Sequence, residues 1–248
     1  MRKALLSILA IAAVAIVPSV LVADGKAMGI TGSPHDFSDG LKDEATVMFD
    51  ETWNHRGEIC RVCHVPHDHN RNQALFSNGL LWDHALSAAT YEMYAEQFPS
   101  SIDGFAWDEP QGVSKLCLGC HDGTVGIDQF DNKTAGPGTV FIGDYDGGFQ
   151  IPGASITDIG GAKNLSGTHP ISIFYDPGGD PGLNPISTAM GTSGNIEDVL
   201  WNGYVECSSC HDVHDSIGEA VADTHLLRVG NNTSTGTASG LCLTCHKK

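Results

Sequence analysis

Eight cysteines stand in this chain, and they fall into four pairs with a single spacing. Cys60-Arg-Val-Cys63 runs into His64 and Cys117-Leu-Gly-Cys120 into His121. Cys207-Ser-Ser-Cys210 runs into His211, and Cys242-Leu-Thr-Cys245 into His246. Each unit is C-x-x-C-H, the attachment pattern of a c-type haem. The spacing has a chemical reason. Two thiols on one turn of chain can each form a thioether to a vinyl group at one edge of a porphyrin. The next residue then points an imidazole at the iron from the proximal side.

Three other chemistries compete for such cysteines: a disulfide framework, zinc binding and a thioredoxin-like redox pair. None of them requires His after every second Cys. The chain holds 12 His in 248 residues. Four such placements by chance have a probability on the order of 10⁻⁵. Every Cys is consumed by the motif, so none is left over for a disulfide. Four covalently bound haem c groups are the expected cofactors, with His64, His121, His211 and His246 as proximal ligands.

Each iron has a second axial position. Eight His remain for it: His35, His55, His67, His69, His84, His169, His214 and His225. Met28, Met48, Met93 and Met190 are alternatives that are not needed. Cys60 to His67 reads C-x-x-C-H-x-x-H, and Cys207 to His214 repeats it. A His three residues past the proximal one shares its helix face. It cannot reach round its own haem, but it can serve a neighbouring one. His67 and His214 are therefore distal candidates. His169, in Gly167-Thr-His-Pro170, has its backbone stiffened by proline. His35 has Asp36 beside it to support its orientation. His84, in Leu81-Trp-Asp-His84, is the reserve. His55, His69 and His225 read as polar surface residues.

The elements that must position these groups look sparse. Gly numbers 30 and aromatic residues make up 7%, a poor recipe for a conventional core. The expected fold class is mostly irregular coil with a few short α-helices and minimal β, wrapped around a chain of four haems. Residues 85–94 are expected to hold a helix. Residues 139–142 and 171–175 are expected to be short strands, and 196–201 to start a helix capped by Asn195. Asp144-Tyr-Asp146-Gly147 looks like part of a calcium loop but lacks its closing acid, and it reads as a turn. Residues 1–23 read as a secretory signal peptide: Arg2 and Lys3, an apolar run too short to span a bilayer, then Leu21-Val-Ala23. Residues 24–248 are then one tetrahaem domain. Its two halves, 24–125 and 165–248, each begin with C-x-x-C-H-x-x-H and end with a plain C-x-x-C-H, joined by a Gly-rich loop region. The net charge is −17, and losing Arg2 and Lys3 takes it to about −19. Such a surface repels nucleic acid and anionic lipid. No integral membrane segment is expected after signal removal.

Further residues match more widely: His35-Asp-Phe-Ser38, Gly57-Glu-Ile-Cys60, His64-Val-Pro-His67, Leu81-Trp-Asp-His84, Leu116-Cys-Leu-Gly-Cys-His-Asp-Gly123, Gly167-Thr-His-Pro170, Glu206-Cys-Ser-Ser-Cys-His-Asp212 and Leu241-Cys-Leu-Thr-Cys-His246. Together they resemble the multihaem c-type cytochromes of metal-reducing bacteria, above all the tetrahaem outer-surface proteins of the OmcE type. The resemblance implies bis-His ligation, stacked and T-shaped haem pairs, and little secondary structure. It also implies polymerisation into extracellular filaments, in which one haem takes a ligand from the neighbouring subunit, and His35 would make that reach. His84 departs from the pattern, because five candidates then serve four irons.

The expected function is electron transfer without a substrate site, and the chain is expected not to be an enzyme. Expected partners are copies of itself in head-to-tail contact, other redox proteins and extracellular electron acceptors. A monomeric periplasmic shuttle is the alternative. A multihaem reductase needs an open iron site, which eight spare His make unnecessary. The expected location is extracellular or the outer surface, alternatively the periplasm.

Overall fold

A computed structural model describes residues 29–31, 33, 35–38, 54, 57–67, 81–131, 158–159, 162–214, 226–229 and 240–247. The expected signal peptide, the strand at 139–142 and the loop around Asp144 lie outside these residues.

Regular structure among the described residues is short. Strand β1 spans Tyr91–Glu92, helix α1 Tyr94–Gln97 and helix α2 Ser114–His121. Strands β2 (Asp158–Ile159), β3 (Ala162–Asn164) and β4 (Ile173–Phe174) follow. Helix α3 (Ile196–Val199), strand β5 (Tyr204–Val205) and helices α4 (Cys207–Cys210) and α5 (Gly240–Cys245) complete the order. β3 pairs parallel with β1 and antiparallel with β2, while β4 pairs antiparallel with β5. The scarcity of helix and sheet agrees with the reading of the sequence.

The helix expected over 85–94 is absent. Residues 85–90 carry no regular structure, and 91–92 form β1. Backbone pairing with three other segments overrides helical propensity. Asp83 donates its N–H to Cys63 O, Ala85 to Gln129 O, and Lys163 to Thr90 O. The expected strand at 171–175 is present as β4. The expected helix after Asn195 is present as α3, with the Asp198 carboxylate accepting the Asn195 N–H at 2.8 Å.

Asn202 (φ 51°) and Gly203 (φ 86°) both take left-handed conformations. Trp201 and Tyr204 exchange both backbone hydrogen bonds across them at 2.9 Å. This is a two-residue hairpin on an Asn-Gly pair, the composition such turns favour. Gly203 is required twice, because a Cβ there would stand 2.8 Å from the Phe174 ring.

The apolar core is small. Tyr91, Met93, Leu118 and Leu165 cluster, flanked by Ala89 and Ile171. The proposed halves are stitched together around it. Ala106 bridges Ile173, and Ser172 Oγ accepts the Gln111 N–H.

Candidate haem-attachment and ligation sites

Each C-x-x-C-H unit closes as one turn of helix. The His N–H donates to the carbonyl of the first Cys in His64 (2.7 Å), His211 (3.1 Å) and His246 (2.9 Å), and the second unit lies within α2. That turn puts both thiols and the imidazole on one side of the chain. No two of the eight Cys are joined in a disulfide.

A separate segment then pins each turn. His64 bridges Trp82, His211 bridges Leu227 and His246 bridges Leu183. The third turn is also held by Arg228, whose Nε donates to Ser208 O at 2.7 Å. At the fourth, Tyr175 OH donates to Cys245 O at 3.0 Å, and Asn184 Nδ2 donates to Leu243 O and Thr244 O. At the second, Asp122 follows His121 and accepts hydroxyl hydrogen bonds from Tyr91, Thr124 and Ser87. These bonds fix the end of α2 where His121 sits.

Glu206 ties the second and third turns together. Its buried carboxylate accepts from the hydroxyls of Ser114, which opens α2, and Ser172. Ser114 Oγ in turn accepts the Cys207 N–H at 3.0 Å. Burial raises the Glu206 carboxyl, and the two serine bonds oppose that rise. These are residues the sequence did not single out. A Glu immediately before C-x-x-C is the one signal that pointed to them, since it stands where a helix cap belongs.

Three of the four proximal His face a distal candidate. His35 and His121 have ring centroids 6.1 Å apart, His64 and His214 6.3 Å, and His169 and His246 6.1 Å. The metal–imidazole bond of first-row metals is about 2 Å, so two imidazoles on opposite sides of one iron have centroids roughly 6 Å apart. The three spacings match that value. Aromatic rings in ordinary contact span roughly 4.5–7 Å, a range that includes these three pairs.

Neutral imidazole is the ligating form. His35 is held in it: burial first, then the neighbouring His121, His211 and His214, lower its pKa to about 4. Burial likewise lowers His121. His169 Nδ1 lies 2.9 Å from Pro170 O, an arrangement that fixes the ring and leaves Nε2 for a metal.

His64 and His214 come from the first and third motifs, so the repeated C-x-x-C-H-x-x-H brings those two turns together. His35, assigned by resemblance to a neighbouring subunit, stands against His121 of its own chain. His67 is exposed and His211 half-buried, and neither joins one of the three pairs. His84 is fully buried against Cys120 and faces no proximal His in these pairs.

The donor set of each motif, two thiols and an imidazole on one turn, fits a c-type haem. Zinc and disulfide-exchange chemistry both need thiolates. Burial pushes the Cys63 thiol up to about 12 and the Cys210 thiol up to about 11, whereas a hydrogen bond with Cys117 holds the Cys207 thiol below its usual value. Among the described residues no helix is long and apolar enough to cross a membrane. No known protein-family model and no curated protein matches the chain.

Proposed function

We propose that this chain is a secreted tetrahaem c-type cytochrome that transfers electrons and assembles head-to-tail into an extracellular filament. The observation that carries the electron-transfer reading is the conjunction of four C-x-x-C-H turns with three His pairs at 6.1–6.3 Å. Haem held there supplies reversible one-electron exchange at iron.

The chain's own residues make that exchange undemanding. Two Cys in each motif hold one porphyrin edge and one His holds one face. With haem bound, imidazoles from His35, His214 and His169 would hold the opposite faces and leave no open coordination position for a substrate at those three irons. Bis-His ligation also favours low-spin iron, whereas a Met ligand would raise its potential. The backbone bridges at His64, His211 and His246 keep the rings from reorganising between oxidation states. The reading as a carrier is supported by these closures at three of the four irons.

Polymer formation is supported by the resemblance and by an aromatic surface. Phe105 is 58% exposed, and Trp107 and Phe174 are also exposed. Phe105 and Trp107 meet edge-to-face at 5.2 Å, and Tyr204 lies 5.4 Å from Phe174. On a chain of such negative charge, a contiguous apolar patch of this kind marks a contact surface. Electron microscopy of secreted protein is expected to show filaments. Phe105→Asp with Trp107→Asp is expected to yield haem-loaded monomers. Monodisperse wild-type particles would reject the polymer and leave the electron carrier standing.

A further inference from the structure

We propose that His84 acts on the sulfur of Cys120 and not on an iron, as a positioning residue of the second attachment motif. The inference rests on the haem reading above. It removes the surplus of five distal candidates for four irons.

The His84 side chain is fully buried. Its Nδ1 lies 3.0 Å from the carbonyl oxygen of Ala85. A carbonyl only accepts, so with the Nδ1 proton in this contact Nε2 keeps its lone pair. Nε2 lies 3.3 Å from Cys120 Sγ. Iron coordination would need that same lone pair, and the sulfur stands against it. In the free thiol, Cys120 S–H donates into Nε2. With the sulfur alkylated, the ring remains as its buttress and holds the Cys120 side chain in one rotamer.

The backbone places the ring for this task. His84 bridges Phe130, and Ala85 donates its N–H to Gln129 O at 2.9 Å. The same segment presses on α2 between the two cysteines. A Cβ on Gly119 would stand 2.8 Å from Ala85 O and 3.7 Å from His84 Nδ1. The glycine inside Cys117-Leu-Gly-Cys120 therefore permits the approach that seats His84 on the sulfur. Of the four motifs, only this one has glycine there.

The test uses the secreted, haem-loaded protein with two substitutions. His84→Asn keeps a donor to the Ala85 carbonyl but is too short to reach the sulfur. Gly119→Ala displaces the Ala85 segment and leaves the imidazole intact. Haem content by mass spectrometry, electron paramagnetic resonance of the ferric state and a spectroscopic redox titration are compared with wild type. Both variants are expected to keep four haems with no new high-spin signal. The same one of four midpoint potentials is expected to shift in both. A high-spin signal from about a quarter of the iron in His84→Asn would show that His84 is an axial ligand and overturn the proposal. Four unchanged potentials in both variants would make His84 a mere filler of the interior, which also overturns it. Wild-type protein without haem would instead reject the underlying cytochrome reading.

Discussion

A His35→Ala chain is expected to retain all four haems and to show about a quarter of its ferric iron as high-spin. The retention follows from the thioethers: Cys117 and Cys120 hold that group whatever stands on its far side. The spin change follows from the pair. His35 is the ring that faces His121, at 6.1 Å, and no second His was found at that spacing from His121 among the described ring pairs. Losing it leaves a five-coordinate or water-bound iron, whose weaker ligand field favours high spin. His214→Ala and His169→Ala are expected to give the same fraction, each at its own iron, by way of His64 and His246. Combining His35→Ala with His169→Ala doubles the high-spin fraction, because the two pairs share no residue. Electron paramagnetic resonance at low temperature reads all of these. A His35→Ala spectrum identical to wild type would remove the pairing on which the axial assignments rest.

The second large effect concerns folding. Made where haem attachment is absent, the chain is expected to show no cooperative thermal transition and rapid digestion by protease. Ordering the backbone costs about 1–2 kcal/mol per residue, while a fully buried Leu, Ile or Met returns about 1.5–3 kcal/mol. The fourteen buried apolar side chains, of which Tyr91, Met93, Leu118 and Leu165 form one contiguous cluster, are too few to offset that cost across the described residues. Strands of two or three residues and helices of four to eight add little on their own. Buried polar groups sharpen the argument. Asp83, Asp122 and Glu206 are all nearly inaccessible, and burying them is favourable only once their partners are in place. Loss of a single attachment turn, by Cys117→Ser with Cys120→Ser, is expected to have nearly the same outcome, because α2 carries Leu118 of the core and Ser114 of the Glu206 network. Circular dichroism against temperature checks both. A sharp two-state melt of the haem-free chain would contradict the expectation.

The four candidate attachment turns were far more legible in the sequence than the architecture around them. C-x-x-C-H is local, since five consecutive residues set the turn that groups two thiols and an imidazole. The repeated C-x-x-C-H-x-x-H pointed to His214 as a residue reaching another motif, and its ring lies 6.3 Å from that of His64. Gly167-Thr-His-Pro170 marked His169 through the stiffness of proline, and His169 now faces His246. Long-range pairings were not legible. Nothing near His84 in sequence tells that Gly119 lies against Ala85, so a buried residue on a sulfur looked like a spare ligand. The helix expected over 85–94 failed for the same reason: backbone bonds to Cys63, Gln129 and Lys163 decide that segment. The Asn202-Gly203 hairpin was the reverse case, because its dipeptide signal was local and open to reading.

The central claim is four covalent haems on the four C-x-x-C-H turns. Intact-mass spectrometry of the secreted protein, followed by peptide mapping, tests it most directly. The account predicts the processed chain plus four haem masses, with one haem on each peptide bearing Cys60–Cys63, Cys117–Cys120, Cys207–Cys210 and Cys242–Cys245. A chain of unmodified mass, with those eight cysteines recovered as free thiols, disulfides or zinc ligands, would contradict it.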